Sequence, residues 1–275
     1  MDLDHAQFDI INTHAHVYPQ KIAAKACASV AEFYGVALKV EEGTPEHLLK
    51  VSERFGIRRS VIHSVATKKE QVRAANTFLA GYATHPRLWP FATLHPDMDA
   101  AELRDEVAAI RAAGLHGIKL HPDCQRFAIA GDDGRRILDA IGDGLPVLVH
   151  AGDKRFRYSN PEQIVAVAKD YPHILFVAAH FGAWSEWEKA ELYADAKNVI
   201  FDTSSSLPFI GAGRALELIR GLGAERFMFA TDYPMWDLGE ELGRFMEIAL
   251  TDEERRGILA GNARRWLGIS EDSER

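Results

Sequence analysis

The chain has 275 residues, 47% hydrophobic and 26% charged, with a formal net charge of −8. That is room for one large α/β domain with an ample core, and an acidic balance that excludes a sequence-independent nucleic-acid binder while leaving space for a local cationic pocket. Cys27 and Cys124 are too few and too dissimilar for a disulfide framework or a cysteine zinc site, MDLDHAQFDI lacks the apolar core of a signal peptide, and no apolar run reaches the ~18–20 residues that span a membrane, so a cytoplasmic protein is expected.

Strand-like and helix-like segments alternate along the chain. Strands are expected at 8–16, 59–66, 88–95, 116–121, 146–150, 174–180, 198–204 and 226–232. Two helices, at 20–34 and 45–55, are inserted after the first strand, and amphipathic helices follow at 68–82, 100–113, 131–141, 161–170 and 212–222. In AAELRDEVAAIRAAG, Leu103, Val107 and Ile110 recur at helical spacing and Gly114 supplies the stop. Pro161 and Pro208 stand at helix starts, where a missing N–H costs little. Thr251 and Glu254 form a capping box at the head of a final helix pair. Eight such units predict a (β/α)8 TIM-like barrel, one domain over residues 1–275, with extra helices after the first strand and at the C-terminus.

In such a barrel the strand C-termini meet at one mouth. The predicted strand ends here are polar: His16, His63 or Ser64, His95, His121, His150, His180, Ser204 and Asp232. His14 and His16 alternate on one strand and so share a face. Gly117, Lys119 and His121 share another strand face, opposite Ile118 and Leu120, which places Lys119 inside the barrel. A buried ammonium must be paired or chemically altered, which makes Lys119 a functional candidate. Read singly, histidines are ordinary hydrogen-bonded side chains, and His5, His47, His85 and His173 are taken as such. Together, neutral imidazoles and one carboxylate suit zinc or another first-row divalent ion. With one coordination position open to water, such an ion lowers the water pKa from about 15.7 toward about 7. Asp232 is then the candidate general base and His180 the residue that polarises or positions the substrate.

The ordered motifs INTHAH, GIKLHP, VLVHAG, AAHFG and ATDYP, closed by GNARRWLGI, resemble the metal-dependent amidohydrolase superfamily, in the branch called amidohydrolase family 2. The resemblance spans roughly residues 8 to 268. It implies a distorted barrel with one or two metal ions, zinc first among them. His14, His16, His150 and Asp232 match its metal-ligand positions and His180 its strand-six histidine. The branch also holds nonoxidative decarboxylases, similar to aminocarboxymuconate-semialdehyde decarboxylase, which use one metal. GIKLHPD resembles instead the strand-four segment of binuclear hydrolases, in which the lysine is carbamylated; Lys119 and His180 would then serve a second ion. Elsewhere in the family the lysine is simply cationic.

The leading expectation is a hydrolase in which a metal-activated water attacks a small amide, cyclic amide, ester or lactone. The alternative is a nonoxidative decarboxylase of a small carboxylated substrate, and a third is a metal-stabilised binding scaffold without turnover. The loop AGDKRFRYSNP offers Lys154, Arg155 and Arg157 either to a substrate anion or to solvent. His121 is a further candidate substrate contact. Trp184 and Trp236 either wall a pocket or, as for Trp187, pack loop on loop. In DTSSS, Asp202 or Ser204 could bond the metal ligands, and helix capping explains the serines equally well. The expected partner is a small, anionic molecule, with no nucleic acid and no membrane. The inserted helices could supply a homo-oligomer interface.

Overall fold

The computed structural model describes residues 8–40 and 42–269. The reading of the first seven residues lies outside these. In chain order the elements are β1 (Ile10–His16), α1 (Ala23–Tyr34), α2 (Pro45–Arg54), β2 (Ile57–His63), α3 (Val72–Ala80), β3 (Leu88–Thr93) and α4 (Ala100–Ala112). Then come β4 (Ile118–Leu120), α5 (Pro122–Gln125), α6 (Asp132–Ile141), β5 (Val147–Val149), α7 (Pro161–Asp170), β6 (Phe176–Ala178) and β7 (Val199–Asp202). The last are α8 (Leu207–Leu222), β8 (Phe227–Met228), α9 (Leu238–Met246), α10 (Asp252–Arg256) and α11 (Asn262–Leu267). Eight parallel strands, in the order β1 to β8, make a nearly closed barrel with helices between them, as expected. Among the described residues no helix is long and apolar enough to cross a membrane.

Two compact units can be separated. One takes the chain up to Ile62, His85–Trp89 and everything from Asp202; the other takes His63–Thr84 and Pro90–Phe201. In the first, Ile10, Ile11, Phe227, Phe229 and Phe245 are fully or almost fully buried, and the Phe229 and Phe245 rings lie 5.4 Å apart. Thr251 and Glu254 do form a capping box, at the start of α10. A π-helical turn, Gly257–Gly261, joins α10 to α11. β8 is shorter than its sequence suggests, because the segment after Met228 leaves the regular ladder. Phe229 N bonds Ile258 O at 2.8 Å, Thr231 N bonds the Asn12 side chain at 3.0 Å, and Asp232 N bonds His14 O at 3.0 Å. The helix expected at 212–222 starts earlier, at Leu207, and breaks at Gly211, whose φ of 68° is in the left-handed region.

In the second unit the parallel strands β4, β5 and β6 are buried at every position, as apolar strands between helices should be. Register pairs Thr93 with Lys119 and Lys119 with Leu148. Gly117 precedes β4 as glycine because a Cβ there would come within 2.5 Å of the Phe91 ring. Leu103, Val107 and Ile110 are the buried apolar face of α4, whose N-terminus is closed by an Asp99–Glu102 capping box. Asn76 on α3 donates to Thr93 O and Glu106 and accepts from Thr93 N, which fixes the helix to the end of β3.

A buried acid sits among the apolar side chains of α9. α9 buries Leu238, Leu242 and Phe245, and Glu241 shares that face. Burial pushes its carboxyl up to about 7, although Arg244 bonds Oε1 at 2.7 Å. A carboxyl that ionises near 4.5 when unfolded and near 7 when folded favours the fold at low pH, and that contribution is lost as pH rises through 7. Replacing Glu241 by Gln should therefore raise stability relative to wild type progressively between those two values, by about 3 kcal/mol in all. Thermal midpoints across that window test this; parallel profiles for the two proteins would contradict it.

Candidate metal centre

β1 brings His14 and His16 to its C-terminal end. His14 is completely buried, and its Nδ1 lies 2.7 Å from Asp202 Oδ2 at the end of β7. Asp202 Oδ1 accepts from Ser204 N at 3.1 Å and from Ser204 Oγ at 2.5 Å. A carboxylate can only accept, so His14 carries its proton on Nδ1 and presents the lone pair at Nε2.

That Nε2 stands 3.3 Å from Asp232 Oδ1 and 3.4 Å from His16 Nε2, and His16 Nε2 is 3.4 Å from Asp232 Oδ1. Ligands at the usual 2.0–2.1 Å around a tetrahedral zinc are separated by about 3.3–3.4 Å. The triangle therefore has the edge lengths of one face of such a site, and its two imidazoles and one carboxylate are the donor set for a first-row divalent ion. The residues fit the group.

Asp232 and its neighbours are held from behind. Its Oδ2 accepts from Ser205 Oγ at 2.5 Å, and Trp236 Nε1 donates to Ser205 Oγ at 2.8 Å. Ser205 and Asp232 both have left-handed backbone angles, φ 52° and 56°, which are uncommon outside glycine. The Tyr233 hydroxyl donates to Glu42 O at 2.5 Å and so accepts from His47 Nδ1 at 2.8 Å. Burial holds that phenol protonated. His47 thus anchors the chain beside Asp232, a role its sequence context did not mark.

The second unit carries the other candidates. Lys119 is completely buried in β4. His121 accepts from Cys124 N at 3.2 Å and so caps α5, and its ring stacks on His150 at 4.0 Å and 8°. His150 Nδ1 lies 3.1 Å from His180 Nε2, and its Nε2 lies 3.8 Å from Asp123 Oδ2. His180 has a left-handed φ of 62°, and its carbonyl accepts from Trp187 Nε1. Asp123 accepts from Ser159 Oγ at 2.5 Å, while its buried Oδ1 has no hydrogen-bond partner among the described residues. Burial pushes its carboxyl up to about 7, against the Ser159 bond. His121, Asp123 and His150 also bring ligand atoms within 4.8 Å of one another. Parallel stacked imidazoles send their lone pairs side by side, however, which suits one shared ion poorly.

The substrate candidates fare unequally. Arg155 donates to buried Asp153 from Nε at 3.0 Å and from Nη2 at 2.8 Å, and its guanidinium lies 5.8 Å from the half-buried Trp184 ring. Its charge is largely matched before any anion arrives. Lys154 and Arg157 are exposed. Gly152 bends at φ 80° against the Trp184 backbone, where a Cβ would come within 2.6 Å. Asp123 and Asp153 were not foreseen; each follows a strand-end histidine by two or three residues, and that spacing was the available signal.

The amidohydrolase family model matches residues 11–269. No match is found among curated proteins. Among solved structures, the chain resembles 5-carboxyvanillate decarboxylase from Sphingomonas paucimobilis, with a TM-score of 0.73 and 16% identity over 96% of this chain and 100% of that one. An uncharacterized TIM-barrel protein from Bordetella bronchiseptica gives 0.78 and 19% over 98% and 100%. A dihydroxybenzoic acid decarboxylase from Polaromonas sp. JS666, solved with manganese and 2-nitroresorcinol, gives 0.72 and 15% over 98% and 99%. Identities this low establish a shared fold. The match over residues 11–269 establishes more: the chain belongs to the amidohydrolase family.

Proposed function

We propose that the chain is a metal-dependent enzyme acting on a small carboxylated substrate, with a divalent ion held by His14, His16 and Asp232, and that its reaction is nonoxidative decarboxylation. The observation that carries this reading is the triangle of Nε2, Nε2 and Oδ1 with edges of 3.3, 3.4 and 3.4 Å, the donor set of a single ion. The resemblance adds His150 as a further ligand position. Zinc and manganese both suit these donors. A bound ion supplies Lewis acidity toward substrate oxygens.

The chain's own groups supply the rest. Asp202 holds the proton on His14 Nδ1. His180 Nε2 lies 3.1 Å from His150 Nδ1, and this hydrogen bond orients the His180 ring at the strand ends. As the bond to the carboxylate carbon breaks and CO2 leaves, the electron pair stays on the remaining carbon, which takes a proton from the imidazolium form of His180 and leaves that histidine neutral. One proton taken up from solvent per turnover then restores the imidazolium. Two of the structural neighbours are decarboxylases of hydroxylated aromatic acids, and this supports placing decarboxylation first, ahead of the hydrolysis expected from the sequence.

Hydrolysis of a small amide, cyclic amide, ester or lactone is the second reading. It is favoured by Lys119, which is completely buried in β4, where an ammonium must be paired or chemically altered. The zinc- or manganese-loaded chain, incubated in 18O-water with a panel of hydroxylated aromatic and enol-like acids, lactones and cyclic amides, separates the two. Stoichiometric CO2 without 18O in the organic product is expected; 18O incorporation without CO2 would establish the hydrolase instead.

Two substitutions test the division of labour. His16→Gln should abolish tight ion binding. His180→Gln should leave the ion bound and lower turnover by at least about 100-fold. Loss of the ion in both variants, read by metal titration, would make His180 a ligand and overturn its role as proton donor.

A further inference from the structure

Asp232 has two chemically equivalent oxygens, and only Oδ1 faces the two histidines. Something must keep the carboxylate from turning. The hydrogen bonds behind it have only one possible direction. An indole N–H can only donate, so Trp236 gives its proton to Ser205 Oγ. A carboxylate can only accept, so Ser205 gives its hydroxyl proton to Asp232 Oδ2.

From this chain we infer that Ser205, backed by Trp236, is a positioning residue that assigns Oδ2 to the protein and Oδ1 to the metal. The inference rests on the metal reading above.

Three observations favour it over a helix-capping role for the serine. Ser206, not Ser205, is the N-cap of α8, and it makes no side-chain cap bond. The Ser205 hydroxyl bonds the carboxylate instead. Its backbone also stands at φ 52°, a strained conformation for a serine that the turn could have avoided with glycine at the loss of the hydroxyl. The indole behind it is itself fixed from two sides. The edge-on Phe209 ring lies 6.1 Å away, and the Arg244 guanidinium sits over the indole at 5.8 Å. Charge follows the same direction: two donors in series stabilise the ionised carboxylate, the form a cation requires.

The experiment is ion affinity of the full-length protein, measured with zinc against a chromophoric chelator, together with the visible spectrum of the cobalt-loaded protein. Ser205→Ala should weaken zinc by about 10–100-fold. Trp236→Phe keeps the ring and loses only the N–H; it should weaken zinc by a smaller factor and shift the cobalt bands. The double variant should bind no more weakly than Ser205→Ala, since Trp236 acts only through the serine. Unchanged affinity in Ser205→Ala overturns the inference. So does a Trp236→Phe penalty of equal size with and without Ser205. If Ser205→Ala fails to fold, Trp236→Phe decides: unchanged affinity and spectrum in it are equally fatal. A wild-type protein that binds no zinc, or one whose zinc survives His16→Gln, overturns the metal reading and the inference with it.

Discussion

The buried hydrogen bond between His14 and Asp202 is the constraint on which the site depends. At 2.7 Å, with both side chains inaccessible to solvent, it ties the end of β1 to the end of β7 and settles which nitrogen of His14 bears the proton. Without it the imidazole could turn or change tautomer, and Nε2 would not be committed to the point where His16 and Asp232 meet. Ser204 donates twice to the other oxygen of Asp202, Oδ1. The carboxylate is thereby kept as an anchor and withheld from the ion itself. Ser205 does for Asp232 what Ser204 does for Asp202, so two adjacent serines fix two carboxylates by the same chemistry.

The site is costly in backbone terms: among the described residues, four of the six non-glycine residues with positive φ stand at or beside the proposed site. Ser205 and Asp232 in one unit, and His180 with Phe181 in the other, hold positive φ angles. Such conformations cost about 1–3 kcal/mol each and persist where the surroundings over-determine them. Around Asp232 the surroundings are explicit: its N–H bonds His14 O, and Tyr233 beside it is held by Glu42 O and His47. Local strain is balanced by bonds to distant parts of the chain, which is what aims a side chain inward from a strand end.

Much of this was legible in the sequence because its signals were periodic or chemically rare. The alternation of apolar strands and amphipathic helices gave the barrel, and His14, His16 and Asp232 announced themselves by residue type and by place, an alternating pair on the first strand and an acid at the end of the eighth expected strand. The capping box at Thr251 and Glu254 was visible because its chemistry is local. What stayed hidden depended on contacts far apart in sequence. β8 reads as seven residues of strand, but the structure keeps Phe227–Met228 in the ladder and gives the remainder to β1 and Ile258. Arg155 reads as an anion clamp until Asp153, two residues earlier, is seen to be buried against it. Glu241 occupies a core-facing helical position among Leu238, Leu242 and Phe245, a spacing that marks it as buried without saying how it is accommodated. The direction of the chain from Trp236 to Asp232 is invisible to periodicity altogether.

The central claim is that a single divalent ion is held by His14, His16 and Asp232 in an enzyme of the amidohydrolase family. A crystal structure of the zinc- or manganese-loaded protein, with anomalous scattering collected at the metal edge, tests it most directly. The account predicts one strong peak in contact with His14 Nε2, His16 Nε2 and Asp232 Oδ1, and an unmodified Lys119. Absence of a peak at those atoms, or two peaks bridged by a carbamylated Lys119, would contradict it.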